Sequence, residues 1–161
     1  AAAFDVPEEW LLYGRNPPEW AVSDSVDSAP ATRKMPIIST VAAGQLTEPT
    51  IQIEGEYQTI EISGLPSGDY FATRVQGTSM NRISPPGSLV VVNRAERELI
   101  RGRRYIFSRR GETTYKRYES DPYPRLEPET TEPEANPIIF PRDEEEWTVI
   151  GRVRVTLLDD L

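Results

Sequence analysis

The side chains able to carry chemistry here are defined first by which ones are missing. The sequence has no histidine and no cysteine. That excludes Ser-His-Asp triads, Cys-His pairs, disulfides and histidine metal sites. A serine hydroxyl is a poor nucleophile until a base takes its proton. Lysine can be that base when burial disfavours its ammonium form, whereas arginine keeps its proton in proteins. Only two lysines are present, Lys34 and Lys116.

The candidate nucleophile is Ser79, in Arg74-Val75-Gln76-Gly77-Thr78-Ser79-Met80. An alternating run through Tyr70, Ala72 and Arg74 leads into it. The Pro85-Pro86-Gly87 turn and the valine-rich run Leu89-Val90-Val91-Val92, a strand by its β-branched content, follow. Ser79 therefore stands where a strand ends and a loop begins. Backbone N–H groups at such a junction are free to face a developing oxyanion. A plain turn serine fits the same spacing. Lys116 lies inside a strand between Tyr115 and Tyr118, where its stem can be walled by apolar groups; an edge-strand lysine in water is the other reading. Lys34 sits beside Arg33 and Thr32, where burial is not expected. In Val41-Ala42-Ala43-Gly44 there is almost no side-chain bulk, so this backbone can either enter a narrow groove in extended form or make a tight turn.

The elements that must position these groups read mostly as strands. Apolar and polar residues alternate through 51–53 and 57–62, and 69–75 and 89–93 read as strands. Residues 104–109 and 112–118 flank Arg110-Gly111, a hairpin signal. Residues 121–137 are acidic and proline-rich, a loop with a short strand at 125–127. The C-terminal run 146–158 reads as one long strand or a pair broken near Gly151. Residues 4–14 read as a helix, with Asp5 able to cap it, Pro7 in its first turn and Gly14 ending it. Residues 16–34 have a linker composition.

With 161 residues the chain can build one domain with a real core plus an extra segment. Its net charge of −8 would repel a phosphate backbone. Arg101, Arg103, Arg104, Arg109 and Arg110 lie close in sequence, as a local basic patch or as a solvated hairpin face. No apolar run approaches the length of a membrane span and no signal peptide is visible. A cytoplasmic protein without metal or cofactor is expected.

Taken in order, Val41-Ala42-Ala43-Gly44, Gly77-Thr78-Ser79-Met80, Tyr115-Lys116-Arg117, Asn136-Pro137 and Val149-Ile150-Gly151-Arg152-Val153 resemble the LexA and lambda-type phage repressor family. Gly44 and Ser79 are 35 residues apart, and Ser79 and Lys116 are 37 apart. The resemblance covers residues 35–155. It implies a mostly β, LexA-like C-terminal peptidase domain of small twisted sheets at 35–161, after a short helix and a linker at 16–34. Residues 1–15 resemble the last helix of a helix-turn-helix DNA-binding domain. It further implies a transcriptional repressor, of SOS or prophage type, that cuts its own bond between Ala43 and Gly44. Ser79 would be the nucleophile, Lys116 the general base, and the backbone N–H groups of Thr78 and Ser79 the oxyanion site. The implied partners are a second copy of the chain, a RecA filament on single-stranded DNA as stimulator, and operator DNA through an N-terminal domain. For the dimer, the strand region 147–158 is the expected contact, pairing through a free backbone edge. A non-cleaving dimerisation module and a polymerase accessory subunit of the same fold are the alternatives. The family often has an acidic residue where this chain has Ser88.

Overall fold

The computed structural model describes residues 31–142 and 145–158. The expected helix at 4–14 and most of the expected linker lie outside these residues. The chain divides into two compact units. In the first, the described part is 31–33 with 62–65. There Thr32 Oγ1 and Ser63 Oγ share a hydrogen bond of 2.9 Å, and Gly64 N donates to Ala31 O at 3.3 Å.

The second unit, residues 34–61 and 66 onward, carries the catalytic candidates. Eight strands form one sheet: β1 (Thr32–Ile38), β2 (Thr59–Ser63), β3 (Tyr70–Arg74), β4 (Leu89–Asn93), β5 (Arg104–Arg109), β6 (Glu112–Glu119), β7 (Arg125–Glu127) and β8 (Trp147–Leu157). Their order is β2-β1-β3-β4-β8-β5-β6-β7. The mostly β expectation holds, with a single hydrogen-bonded sheet where several small ones were expected. One short helix, α1 (Thr40–Gly44), follows β1.

Burial explains the order. All five residues of β4 are buried, as are the first four of β3, which is why their sequences read as near-continuous apolar runs. On one face Phe71, Val75, Val90, Val92, Ile106 and Ile150 pack with Ile38, Ala43 and Leu46. A second cluster of Tyr105, Phe107 and Leu126 lies towards the β7 side. The hairpin between β5 and β6 turns on Arg110 and Gly111, both at positive φ (52° and 81°). Two such residues are what a two-residue hairpin with native twist requires.

One expectation needs correction. No strand forms at 51–53. The carbonyl of Ile51 accepts from Arg94 Nη2 at 2.6 Å, and Ile51 and Ile53 serve instead as side chains against the core. Of the two readings of the C-terminal run, the single long strand holds. β8 runs unbroken and absorbs two irregularities, with Arg154 extra against β4 and Ile150 extra against β5. β8 is flanked on both sides only in part: its residues 152–157 pair with β4 and its residues 147–152 with β5.

The arginines of the β5 region form no continuous basic patch. Arg101 pairs with Glu119, Arg104 with Glu129 and Arg109 with Glu145.

Candidate active site

Ser79 is placed by the way β3 ends. Gly77 takes a positive φ of 77°, a conformation glycine adopts without steric cost, and turns the chain out of the strand. Met80 then anchors the loop, fully buried. Asn81 N donates to Thr78 O at 3.2 Å, and Ser84 N to Met80 O at 2.8 Å, so Ser79 sits in a compact turn. Ser79 and Thr78 are half-buried.

A second segment straps this turn. Asn136 Nδ2 donates to Thr78 Oγ1 at 3.0 Å. Asn81 exchanges two hydrogen bonds of 2.8 Å with Thr131, and Arg82 N and Nε donate to the carbonyls of Glu129 and Thr130. The acidic, proline-rich stretch therefore acts as a brace on the nucleophile loop. The sequence singled out Asn136 only as part of a motif, and the remaining strap residues carried no signal. Their contacts are polar, and their partners lie about fifty residues away in the chain.

Lys116 comes from the middle of β6. It is buried, with 7% of its surface exposed, and Nζ donates to the Tyr115 carbonyl at 3.2 Å. Desolvation lowers its pKa from 10.5 to about 8, because burial disfavours the ammonium form. Among the described residues, no ion pair offsets that desolvation. Tyr115 is held in place by Ser84, whose hydroxyl lies 3.1 Å from the phenol oxygen, and its pKa is raised chiefly by burial. β7 pairs only with Arg117, Tyr118 and Glu119, so the same edge of β6 at 113–116 lacks a strand neighbour among the described residues. Lys34, by contrast, is exposed.

Ser79, Lys116 and Ala43 line one cavity of about 370 Å³, together with Thr73, Gly77 and Thr114. Gly44 and Thr78 are not among its lining residues. Thr78 is turned to the strap, and Gly44 is packed against the hairpin tip, where a Cβ would meet Gly111 O at 2.6 Å.

The segment 39–44 is neither extended nor a bare turn. It forms α1, capped by Ser39, whose side chain accepts from Ala42 N at 3.1 Å. The Ala43 carbonyl accepts from Leu46 N at 3.1 Å, and the Gly44 carbonyl from Ser108 Oγ at 2.8 Å. Small residues suit this conformation because Ala43 and Gly44 are buried at the contact with β3, β5 and β6. Immediately downstream, Arg97 donates to the carbonyls of Leu46 and Thr47, and Arg94 to those of Glu48 and Ile51. These two arginines clamp the chain just after the candidate cleavage bond.

Ser79 and the buried, strand-borne Lys116 thus border one cavity. The sequence profile of the Peptidase S24-like family matches residues 36–154. The chain belongs to that family. It is 37% identical over 127 residues to a LexA repressor of Geobacter sp., covering 74% of this chain and 58% of the relative. It is 36% identical over the same length, with the same coverage, to a LexA repressor of Citrifermentans bemidjiense. The chain thus spans less than two thirds of the length of these curated relatives. Among the described residues, no helix is long and apolar enough to cross a membrane.

Proposed function

We propose that this S24-type domain is the self-cleaving, dimerising part of a transcriptional repressor, and that it cuts its own chain between Ala43 and Gly44. The observation that carries the reading is the common cavity lined by Ser79, Lys116 and Ala43, with Lys116 buried and brought near a working pKa.

Neutral Lys116 Nζ takes the proton of Ser79 Oγ, and Oγ attacks the carbonyl carbon of Ala43. The backbone N–H groups of Ser79 and Thr78 receive the oxyanion. Lys116 then passes its proton to the Gly44 nitrogen, and the new amine leaves. Water hydrolyses the remaining ester and frees Ser79.

In the structure as it stands, α1 keeps the bond out of line, with the Ala43 carbonyl engaged by Leu46 N. A five-residue helix is marginal by itself, so unwinding it is not prohibitive. The parallel pairing of β1 with β3 suggests where it goes. Ile37 pairs with Ala72 and Ile38 with Thr73, an offset of 35 residues. Gly44 and Ser79 are separated by the same 35. Continuing β1 in register past Ile38 would therefore run the cleavage segment along the end of β3 towards Ser79.

Cleavage would part an upstream DNA-binding segment from the dimerising domain, lower operator affinity and end repression. A second copy of the chain, operator DNA and a RecA filament on single-stranded DNA as stimulator are the proposed partners. The proposed dimer contact is the β8 region 147–158, where residues 153–157 have no strand partner on the side away from β4 among the described residues.

The test is incubation of the chain from pH 7 to 10, followed by mass spectrometry. Fragments ending at Ala43 and beginning at Gly44 are expected, at a rate independent of protein concentration. Ser79→Ala and Lys116→Ala should each abolish them, and Lys34→Ala should not. Cutting by the Lys116→Ala chain at the wild-type rate would overturn the dyad. A chain that dimerises and never cuts would favour the non-cleaving module.

A further inference from the structure

One buried hydroxyl in the cavity is left over by this mechanism. Thr73 is 3% exposed, and its Oγ1 has no hydrogen-bond partner among the described residues. Its backbone is engaged on both edges of β3, by Ile38 and by Val90. Its side chain shares the sheet face of Phe71 and Val75, as strand alternation requires, and borders the cavity that Ser79 and Lys116 line. A buried hydroxyl without a partner carries a desolvation penalty, and valine would fill the same volume without it. The extended cleavage segment would not satisfy this group. It would pair through backbone atoms in the plane of the sheet, whereas Thr73 Oγ1 projects from the face.

We infer that Thr73 holds the hydrolytic water of the second half-reaction. The inference rests on the self-cleavage reading. A cavity of about 370 Å³ has room for water, whose share of liquid volume is about 30 Å³. A water there needs two to four polar partners, and Thr73, Lys116 and Ser79 supply them. The position is at the core side of the site, so a segment docking over Ser79 does not displace it. In the step itself, the water oxygen bonds to the Ala43 carbonyl carbon of the ester and gives a proton to neutral Lys116 Nζ. The bond from that carbon to Ser79 Oγ breaks, and Lys116 returns the proton to Oγ. The Ala43 end leaves as a carboxylate after losing its acid proton to solvent.

The experiment follows the two halves separately in the full chain, using Thr73→Val and Thr73→Ser. The Gly44 amine is counted by N-terminal labelling, and the ester by its conversion to a hydroxamate with hydroxylamine. In Thr73→Val, the Gly44 amine should appear at close to the wild-type rate. Release of the Ala43 fragment should slow roughly tenfold to a hundredfold, the loss expected of one positioning hydrogen bond. A hydroxylamine-sensitive branched chain should accumulate, and Thr73→Ser should restore release. Thr73→Val should melt at or above the wild-type temperature, so a folding defect does not mimic the result. Release at the wild-type rate without ester overturns the assignment. So does equal slowing of both halves. If wild type cuts but Ser79→Ala cuts as well, the dyad reading fails; if wild type never cuts, both readings fail.

Discussion

Ser108 Oγ donates a 2.8 Å hydrogen bond to the carbonyl of Gly44, from β5 across 64 residues of chain. Ser108 is buried, and so is Gly44. The bond fixes the residue after the candidate cleavage point while α1 is formed.

Removing this tie should therefore have two effects of opposite kind. Ser108→Ala leaves a buried carbonyl without its partner, at a cost of about 1–3 kcal/mol measurable by urea unfolding. The same loss falls on the helical form of the segment and favours its unwinding, so self-cleavage should quicken by roughly tenfold for each 1.4 kcal/mol. A variant that is less stable and also cuts more slowly would show that the tie supports the reacting form.

The pH dependence follows from Lys116. With a pKa of about 8, roughly a tenth of the lysine is neutral at pH 7 and roughly nine-tenths at pH 9. Cleavage should rise about tenfold across that range and then level off. The stability consequence has a definite sign. The folded pKa is below the unfolded one, so the folded chain binds fewer protons between about pH 8 and 10.5, and stability rises with pH there. Below pH 8 the penalty for burying the ammonium is fully present, at most about 3 kcal/mol. Lys116→Met should thus stabilise the fold at pH 7 and lose that advantage by about pH 10.5, as followed by melts at both pH values.

Gly151 offers a check on the sheet independent of catalysis. A Cβ there would lie 2.4 Å from Asn93 O and 2.9 Å from Val92 Cγ1. Gly151→Ala must push β8 away from β4, and a loss of about 2 kcal/mol or more is expected from overpacking of this kind. A melting temperature equal to wild type would contradict the close approach.

The arginine clamp makes a local prediction. Arg97→Ala removes the donors to Leu46 O and Thr47 O, at 3.0 and 2.8 Å. Amide exchange in residues 45–52 should speed at least tenfold while β4 and β5 retain their protection. Protection unchanged in that stretch would show that Leu46 burial and the Arg94 bonds to Glu48 O and Ile51 O hold it without Arg97.

Much of this was legible in the sequence, for identifiable reasons. β4, β5 and β7 begin and end where they were expected, β4 because of its run of valines and β5 because of the Arg110-Gly111 turn that follows it. The exposure expected for Lys34 follows from its neighbours, whereas for Lys116 the neighbours left burial and exposure both open and the family resemblance favoured burial, which the structure has. Gly151 left one long strand and a broken pair both open, because a glycine in an apolar run can signal a break; here it serves a close crossing of strands. α1 was missed because five residues are too few to show a helical period, and Ser39 was its only local sign. The strap over Thr78 and Asn81 was missed because polar contacts between distant segments leave no periodic trace.

The position of β8 has a consequence in time. Ser79 belongs to the β1-β3-β4 side of the sheet and Lys116 to the β5-β6-β7 side, and β8 is the strand paired with both. Its residues are the last of the sheet to be synthesised. Until they leave the ribosome, the nucleophile and its base reside in two halves with no strand to align them. On the self-cleavage proposal, a growing chain then carries both reactive groups and its own target bond without the means to join them, and self-destruction of the nascent chain is deferred until the last strand has been made.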